Sequence, residues 1–481
     1  MASLAFASIK DLREKLVKKE LSKDELAQFF YGRCQQLDTT VQSILELFDP
    51  KQEMSQAAAD GVLAGIPGLV KDTICQEGHI TACASKILEH YKATYDATAV
   101  ARLKQAGAYS LGRANCDEFA MGSSTETSAF KKTTNPWDAS RVPGGSSGGS
   151  IAAVAAGLVP WALGTETGGS VRQPAAYCGI VGSKPTYGLV SRKGLVAYAS
   201  SLDQIGVATR TVYDNALVMS VIAGTDAGDS STLQNISNLD LTKSLNGSIP
   251  QGLTIGVIDN ALYAEGMDPE VSSLLDAVLK EYEKLGATIK HITLPSMDYS
   301  AAVYFMISRA EAASNLARFD GVRYGTRISG ESLADMYCNT RTQGFGEEVK
   351  RRIMIGNYVL SAGHAARYYE SAKKVQALMR AEFLEAFKDC NVLFAPVSPT
   401  AAFKFGAFDD NRLAMDLQDY FTAAANLTGI PAISIPCGFT KESLPVGFQL
   451  MGPDLSEALL YQVAHAYEQR TRWFEQTPKN F

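Results

Sequence analysis

The stretch from Arg141 to Arg172 constrains this chain most. RVPGGSSGGS leads into an Ala-rich apolar run, and GTETGGSVRQPA comes after it, so two Gly-Ser clusters flank one expected buried helix. Glycines at this density let the backbone approach a ligand closely and turn its N–H groups inward, which suits an anion or a developing oxyanion. A pair of flexible loops is the plainer reading, but linkers rarely abut so apolar a helix on one side and an ordered RQPA turn on the other.

Three chemistries compete for these clusters. A phosphate-binding loop needs a lysine and a hydroxyl after its last glycine, and neither GGSSGGSI nor TGGSVR supplies them. Gly144-Gly145-Ser146-Ser147-Gly148 formally matches the G-x-S-x-G elbow of α/β-hydrolases, but Arg141-Val142-Pro143 is a poor strand and no histidine is marked as its base. Ser128-Ala129-Phe130-Lys131 formally meets S-x-x-K, yet the S-D-N and K-T-G triplets that accompany it are missing from the sequence. With a serine nucleophile and no histidine base, a lysine must accept the proton, and burial or neighbouring charge must hold it neutral. Lys71, at the end of the apolar run Ile66-Pro67-Gly68-Leu69-Val70, is the natural candidate. Taken alone, a lysine at a strand end is more often simply solvated.

Around this stretch the chain alternates short β-like runs and helices, the texture of an α/β sheet. Two amphipathic helices open it, Ile9 to Lys19 and Lys23 to Leu37, the second with a capping box from Ser22 and Glu25. Asp96 is placed to cap a helix through Leu103, with Gly107 ending it and a strand following from Ala108 to Leu111. A second unit runs from strand Thr254–Ile258, through a helix capped by Asp268 with Pro269 in its first turn, to strand Thr288–Leu294. The polar stretch from Asp229 to Gly252 reads as a surface connection, and Tyr299 to Phe387 is mostly helical in pattern. Strand-like runs return at Asn391 to Phe394 and Ala432 to Ile435, giving one large domain with a helical insertion.

Composition excludes several classes. A chain of 481 residues that is 46% hydrophobic can bury a large core. A net charge of −6 argues against holding a nucleic-acid backbone unaided. Eight scattered cysteines without a CxxC pair, and five histidines without an HxxxH or HxH grouping, point to buried free thiols and no metal site. The start MASLAFASIK lacks a basic n-region and a long apolar core, and Ile151 to Leu163 is too short to span a bilayer; a cytoplasmic protein with no membrane contact is expected.

GIPGLVKDTI, RVPGGSSGGS and LGTETGGSVRQPAAYCGIVGSKPTYGLVSR stand in the order and spacing of the amidase signature family, which the chain resembles over essentially its whole length. The resemblance implies a mixed central β-sheet covered by helices on both faces. It also implies a single amidase domain over 1–481, with N-terminal helices over 1–60, a signature core over about 60–215 and the helical insertion over about 299–387. It places the catalytic triad on Lys71, Ser146 and Ser170 and the oxyanion hole on the N–H groups of Thr167, Gly168 and Gly169. A cis peptide at Gly145–Ser146 goes with it, and Arg172 and Asp203 look like supporting ion-pair partners. GTETGG stands where many relatives have GSDTGG, a conservative change that leaves the relay residues untouched.

Outside the signature, NLARFDGVRYG, GFGEEVKRRIMIGNYVLSAG and AANLTGIPAISIPCG are similar to the glutaminase branch of that family, the subunits that serve tRNA-dependent amidotransferases. That resemblance implies hydrolysis of free glutamine, with Arg352 for the α-carboxylate, Asp419 for the ammonium and Tyr304 lining the same pocket. It implies no cofactor in this chain, two partner subunits of B and C type in a heterotrimer, and ATP and Mg at the partner. There the ammonia would convert misacylated Glu-tRNA(Gln) or Asp-tRNA(Asn), with tRNA bound mainly through the partner. The plainer readings are a solvated arginine in Lys350-Arg351-Arg352 and a helix cap at Asp419. The rival functions are a stand-alone small-molecule amidase and a non-catalytic scaffold subunit.

Overall fold

The computed structural model describes residues 2–237 and 239–481. Eleven strands form one sheet: β1 (Ile44–Leu47), β2 (Pro67–Lys71), β3 (Tyr109–Ala114), β4 (Trp161–Glu166), β5 (Val181–Lys184), β6 (Gln204–Thr209), β7 (Thr254–Ile258), β8 (Thr288–Ile292), β9 (Val392–Pro396), β10 (Ala432–Phe439) and β11 (Pro445–Met451). Their order is β1-β3-β2-β4-β6-β5-β10-β11-β9-β7-β8. The sheet is mixed. β2 lies parallel to β3 and β4, and β7 parallel to β8 and β9. Every pairing between β4 and β9 is antiparallel, as is β1 with β3.

Side chains alternate between the faces of a strand, so a sheet covered on both sides feeds two cores. β9 shows this directly: Val392 and Phe394 join one hydrophobic cluster, Leu393 and Ala395 the other. The first cluster takes the N-terminal helices α1 (Ile9–Val17) and α2 (Lys23–Val41), α3 (Thr98–Gln105), α4 (Gly148–Ala155), α5 (Arg172–Cys178) and α6 (Pro269–Lys284). The second takes α7 (Ser300–Leu316), α9 (Glu347–Leu360) and α10 (Tyr369–Ala386) of the helical insertion and then α11 (Tyr420–Thr428), while α8 (Leu333–Gly344) of the insertion contributes no residue to it.

The Ser22–Glu25 capping box and the Asp268 cap with Pro269 at the first turn form as expected. Other expectations move. α2 continues past Leu37 because Val41 is itself a core residue, and the chain then turns with Gln42 in the left-handed region. Asp96 does not cap α3; its carboxylate accepts the Glu77 N–H and pairs with Lys104 instead. β3 runs on through Arg113, a charge that Glu46 and Asp72 satisfy, so the strand persists where its apolar pattern stops. β11 was not expected. Seven cysteines are buried free thiols, whereas Cys338 is exposed. Among the described residues no helix is long and apolar enough to cross a membrane.

Candidate active site

Lys71 ends β2 between β3 and β4, so its whole side chain is buried. Burial disfavours the charged amine and pushes it down to about 8. Its partners are uncharged oxygens: Nζ lies 2.7 Å from Ser146 Oγ, 2.8 Å from Thr165 Oγ1 and 3.0 Å from Ser147 Oγ. The Ser147 hydroxyl donates to the Thr165 carbonyl at 3.0 Å and accepts the Thr165 N–H at 3.1 Å. This leaves an oxygen lone pair facing the amine.

The Gly145–Ser146 peptide is cis, as the resemblance implied. The loop is held from both sides. The Asp117 N–H donates to the Ser146 carbonyl at 3.1 Å, and the Gly145 N–H donates to Gln173 Oε1 at 3.0 Å. Asp117 is buried and accepts the N–H groups of Ser124, Thr125 and Thr127. A Cβ on Gly145 would lie 2.2 Å from its Oδ2, so glycine is required there.

Ser170 follows β4 in the second cluster. Its carbonyl accepts the Ser147 N–H at 3.1 Å, which ties the two clusters together. Among the described residues its hydroxyl makes no hydrogen bond, and none joins it to Ser146. The structure thus contains the Lys71–Ser146 hydrogen bond of the expected relay, and it does not contain one between Ser146 and Ser170 among the described residues. Among the described residues no protein acceptor meets the N–H groups of Gly168 and Gly169 either. The loop that carries them is tightly packed. A Cβ on Gly168 would meet the Tyr304 ring at 2.6 Å, and Gly169, at φ +146°, faces Thr422, whose hydroxyl donates to the Gly168 carbonyl at 2.6 Å.

Arg172 and Asp203 support this loop, but they do not form one pair. Arg172 bonds to Glu166 at 2.5 Å inside the core. Asp203 accepts the Thr167 hydroxyl at 2.7 Å and the N–H groups of Tyr198 and Ala199, and burial pushes its carboxyl up to about 6.

Of the three residues expected to bind substrate, Arg352 lies close enough to act electrostatically on both Asp419 and Tyr304, and it is the one of the three that lines the adjacent cavity. Arg352 is buried on α9 rather than solvated. Its Nε donates to Glu348 at 2.6 Å, and Nη1 donates to the Tyr198 hydroxyl at 2.8 Å. Burial alone would raise the Glu348 carboxyl, yet the Arg352 and Arg351 guanidiniums hold it down at about 2. Asp419 precedes α11 without capping it by its side chain; Oδ1 accepts the Ser123 hydroxyl at 3.2 Å. Burial pushes its carboxyl up to about 7, against the pull of Arg352. Arg352 and Ser123 line one cavity of about 230 Å³. Among the described residues no cluster of His, Cys, Asp or Glu could hold a metal.

Sequence reasoning missed Ser147, Thr165, Asp117, Ser123, Tyr198 and Glu348. The first two sat inside the motifs already singled out, and their hydroxyls were the available signal. Glu348 also sat inside a quoted stretch, four residues before Arg352 on the same helix, and that spacing was its signal; Asp117, Ser123 and Tyr198 lay outside the motifs, and only the folded chain brings them to the site.

Residues 25–461 match the amidase family. The chain belongs to the amidase signature family. This amidase is 49% identical to the A-type subunit of the glutamyl-tRNA(Gln) amidotransferase of Microcystis aeruginosa, over 98% of this chain and 99% of that one. It is also 49% identical to the protein of the same name from Listeria monocytogenes, over 98% of each. Its structure resembles that of the corresponding glutamyl-tRNA(Gln) amidotransferase subunit from Thermotoga maritima, at a TM-score of 0.83 and 41% identity, covering 99% of this chain and 98% of that one. It is also similar to peptide amidase from Stenotrophomonas maltophilia, at a TM-score of 0.80 and 28% identity over 98% of each chain.

Proposed function

We propose that this amidase is the glutaminase subunit of a tRNA-dependent amidotransferase. The observation that carries the reading is the full-length similarity to the A-type subunits of glutamyl-tRNA(Gln) amidotransferases, which extends through the helical insertion where Arg352 lies. Glutamine binds with its α-carboxylate at Arg352, its ammonium at Asp419 and Tyr304 beside them, since burying either charge unpaired is costly. Ser170 Oγ attacks the amide carbon as Ser146 takes its proton and passes one to neutral Lys71. The N–H groups of Thr167, Gly168 and Gly169 stabilise the oxyanion. The proton returns to the leaving ammonia, and water then hydrolyses the γ-glutamyl ester on Ser170.

Ammonia passes to a B-type partner in a heterotrimer with a C-type subunit. That partner holds tRNA, ATP and Mg and amidates misacylated Glu-tRNA(Gln) or Asp-tRNA(Asn). The chain itself works as one domain in the cytoplasm, and its net charge of −6 suits a subunit that leaves tRNA to its partner.

The test is ammonia release from glutamine by the chain alone and with its partner subunits, for wild type and Ser170→Ala. Weak release alone that rises with partners and vanishes in the variant is expected. Full activity alone on other amides, with none on glutamine, would replace the reading by a stand-alone amidase. A serine-reactive phosphonate that leaves Ser170 unlabelled would instead make the chain a scaffold.

A further inference from the structure

Glu118 is a buried acid with no place in the relay, and it sits where two parts of the site join. It is 1% exposed. Its two carboxylate oxygens accept the Gly346 N–H at 3.1 and 2.9 Å, and Oε1 also accepts the Ser85 hydroxyl. Gly346 is the N-cap residue of α9 and has no side chain to cap it. Glu118 therefore supplies from another segment the hydrogen-bond acceptor that an unpaired N–H at a helix N-terminus needs. The fit is close: a Cβ on Gly346 would lie 2.4 Å from Glu118 Oε2.

What α9 carries makes this anchor matter. Arg352 lies six residues beyond the cap, roughly 9 Å along the helix axis, with Glu348 on the same helix holding its Nε. Glu118, Gly346, Glu348 and Arg352 all line the cavity that Ser123 also lines. On the other side, Glu118 is bonded through its own backbone to the turn that supports the catalytic loop. Its N–H donates to Thr127 Oγ1 at 3.1 Å, and the adjacent Asp117 N–H donates to the Ser146 carbonyl. A packed helix shifts as a unit, so releasing its N-terminus moves the guanidinium without touching Ser146 or Ser170.

We infer that Glu118 is a positioning residue: by anchoring the N-terminus of α9 to the Asp117–Thr127 turn, it sets the distance between Arg352 and the Ser146–Ser170 centre and so the fit of glutamine's α-carboxylate. The inference rests on the glutaminase reading above and adds the residue that holds its carboxylate-binding helix in place.

The experiment compares wild type, Glu118→Ala, Glu118→Gln and Gly346→Ala, each assembled with the partner subunits. It reads KM and kcat for glutamine and the rate at which a serine-reactive phosphonate labels Ser170. Glu118→Ala should raise KM about tenfold or more, leave kcat within about threefold and leave labelling unchanged, the signature of lost binding rather than lost chemistry. Glu118→Gln, whose amide oxygen still accepts the Gly346 N–H, should restore KM to within about threefold of wild type. Gly346→Ala, whose Cβ would push Glu118 Oε2 off the helix end and so break the anchor from the other side, should reproduce the KM rise, and it decides the matter if Glu118→Ala does not fold. An unchanged KM in both alanine variants overturns the inference, as does a parallel loss of kcat and labelling. Wild type that releases no ammonia from glutamine overturns the glutaminase reading and this inference together; wild-type release with unaffected variants overturns this inference alone.

Discussion

Two side chains give the proposed reaction separate pH limits. Lys71 must be neutral to receive a proton through Ser146, and burial brings its amine down to about 8. kcat for glutamine should therefore climb as pH rises toward 8 and level off above it, read from a steady-state pH profile. Asp419 must be ionised to meet the substrate ammonium, and burial brings its carboxyl up to about 7. KM should therefore rise as pH falls below 7, a trend visible in the same data set and absent from kcat. The buried amine also has a stability cost. Its ordinary value is 10.5, so below about pH 8 both the folded and unfolded chains carry the charge, and the folded one bears a desolvation penalty of roughly 3 kcal/mol. The penalty fades as pH rises from 8 toward 10.5. Lys71→Met should abolish ammonia release yet raise the thermal midpoint at pH 7, measured by calorimetry.

Among the elements, the loop after β4 bears a tight steric requirement. Gly169 stands at φ +146°, and a Cβ there would lie 2.1 Å from Thr422 Oγ1, so neither the backbone angle nor the neighbouring helix admits a larger residue. Gly169→Ala should turn oxyanion donors away from the substrate carbonyl and lower kcat by on the order of 10²-fold. The far-UV circular dichroism spectrum should stay that of the wild type, because the loop belongs to neither β4 nor α5. A spectrum that collapses with the activity would make Gly169 a folding residue instead. The motifs at this scale were legible early: the dense glycines marked a backbone that packs closely, and the capping signals at Ser22 and Asp268 found their helices. Asp96 misled because a polar residue before an apolar run looks the same whether it caps the helix or, as here, binds a lysine in the helix's last turn.

Across the whole molecule, Arg172 ties the signature region to the C-terminal strands. Its guanidinium meets Glu166 at the end of β4, Gln449 on β11, and the Thr422 carbonyl and Asn426 Oδ1 on α11. Arg172→Ala would leave Glu166 buried without its counter-charge, which costs about 3–5 kcal/mol. A loss of that size in the free energy of denaturant unfolding is expected, together with lost ammonia release; an unchanged unfolding free energy would show that the network adds nothing to stability.

From the sequence alone came the alternation that builds a sheet with helices, the helical insertion, and the signature motifs whose resemblance to a family points to Lys71, Ser146 and Ser170 as the proposed triad. These are local patterns, and local patterns survive in one dimension. Only the tertiary structure decided that Lys71 is wholly buried, because burial depends on β3 and β4 closing around its strand. Only it brought Ser123 from one segment to Asp419 nearly three hundred residues later, and Glu118 to the end of α9. β11 escaped notice for the same reason: buried on both faces, Pro445 to Met451 has no polar alternation to declare it, and its place between β10 and β9 is settled by pairing with distant strands.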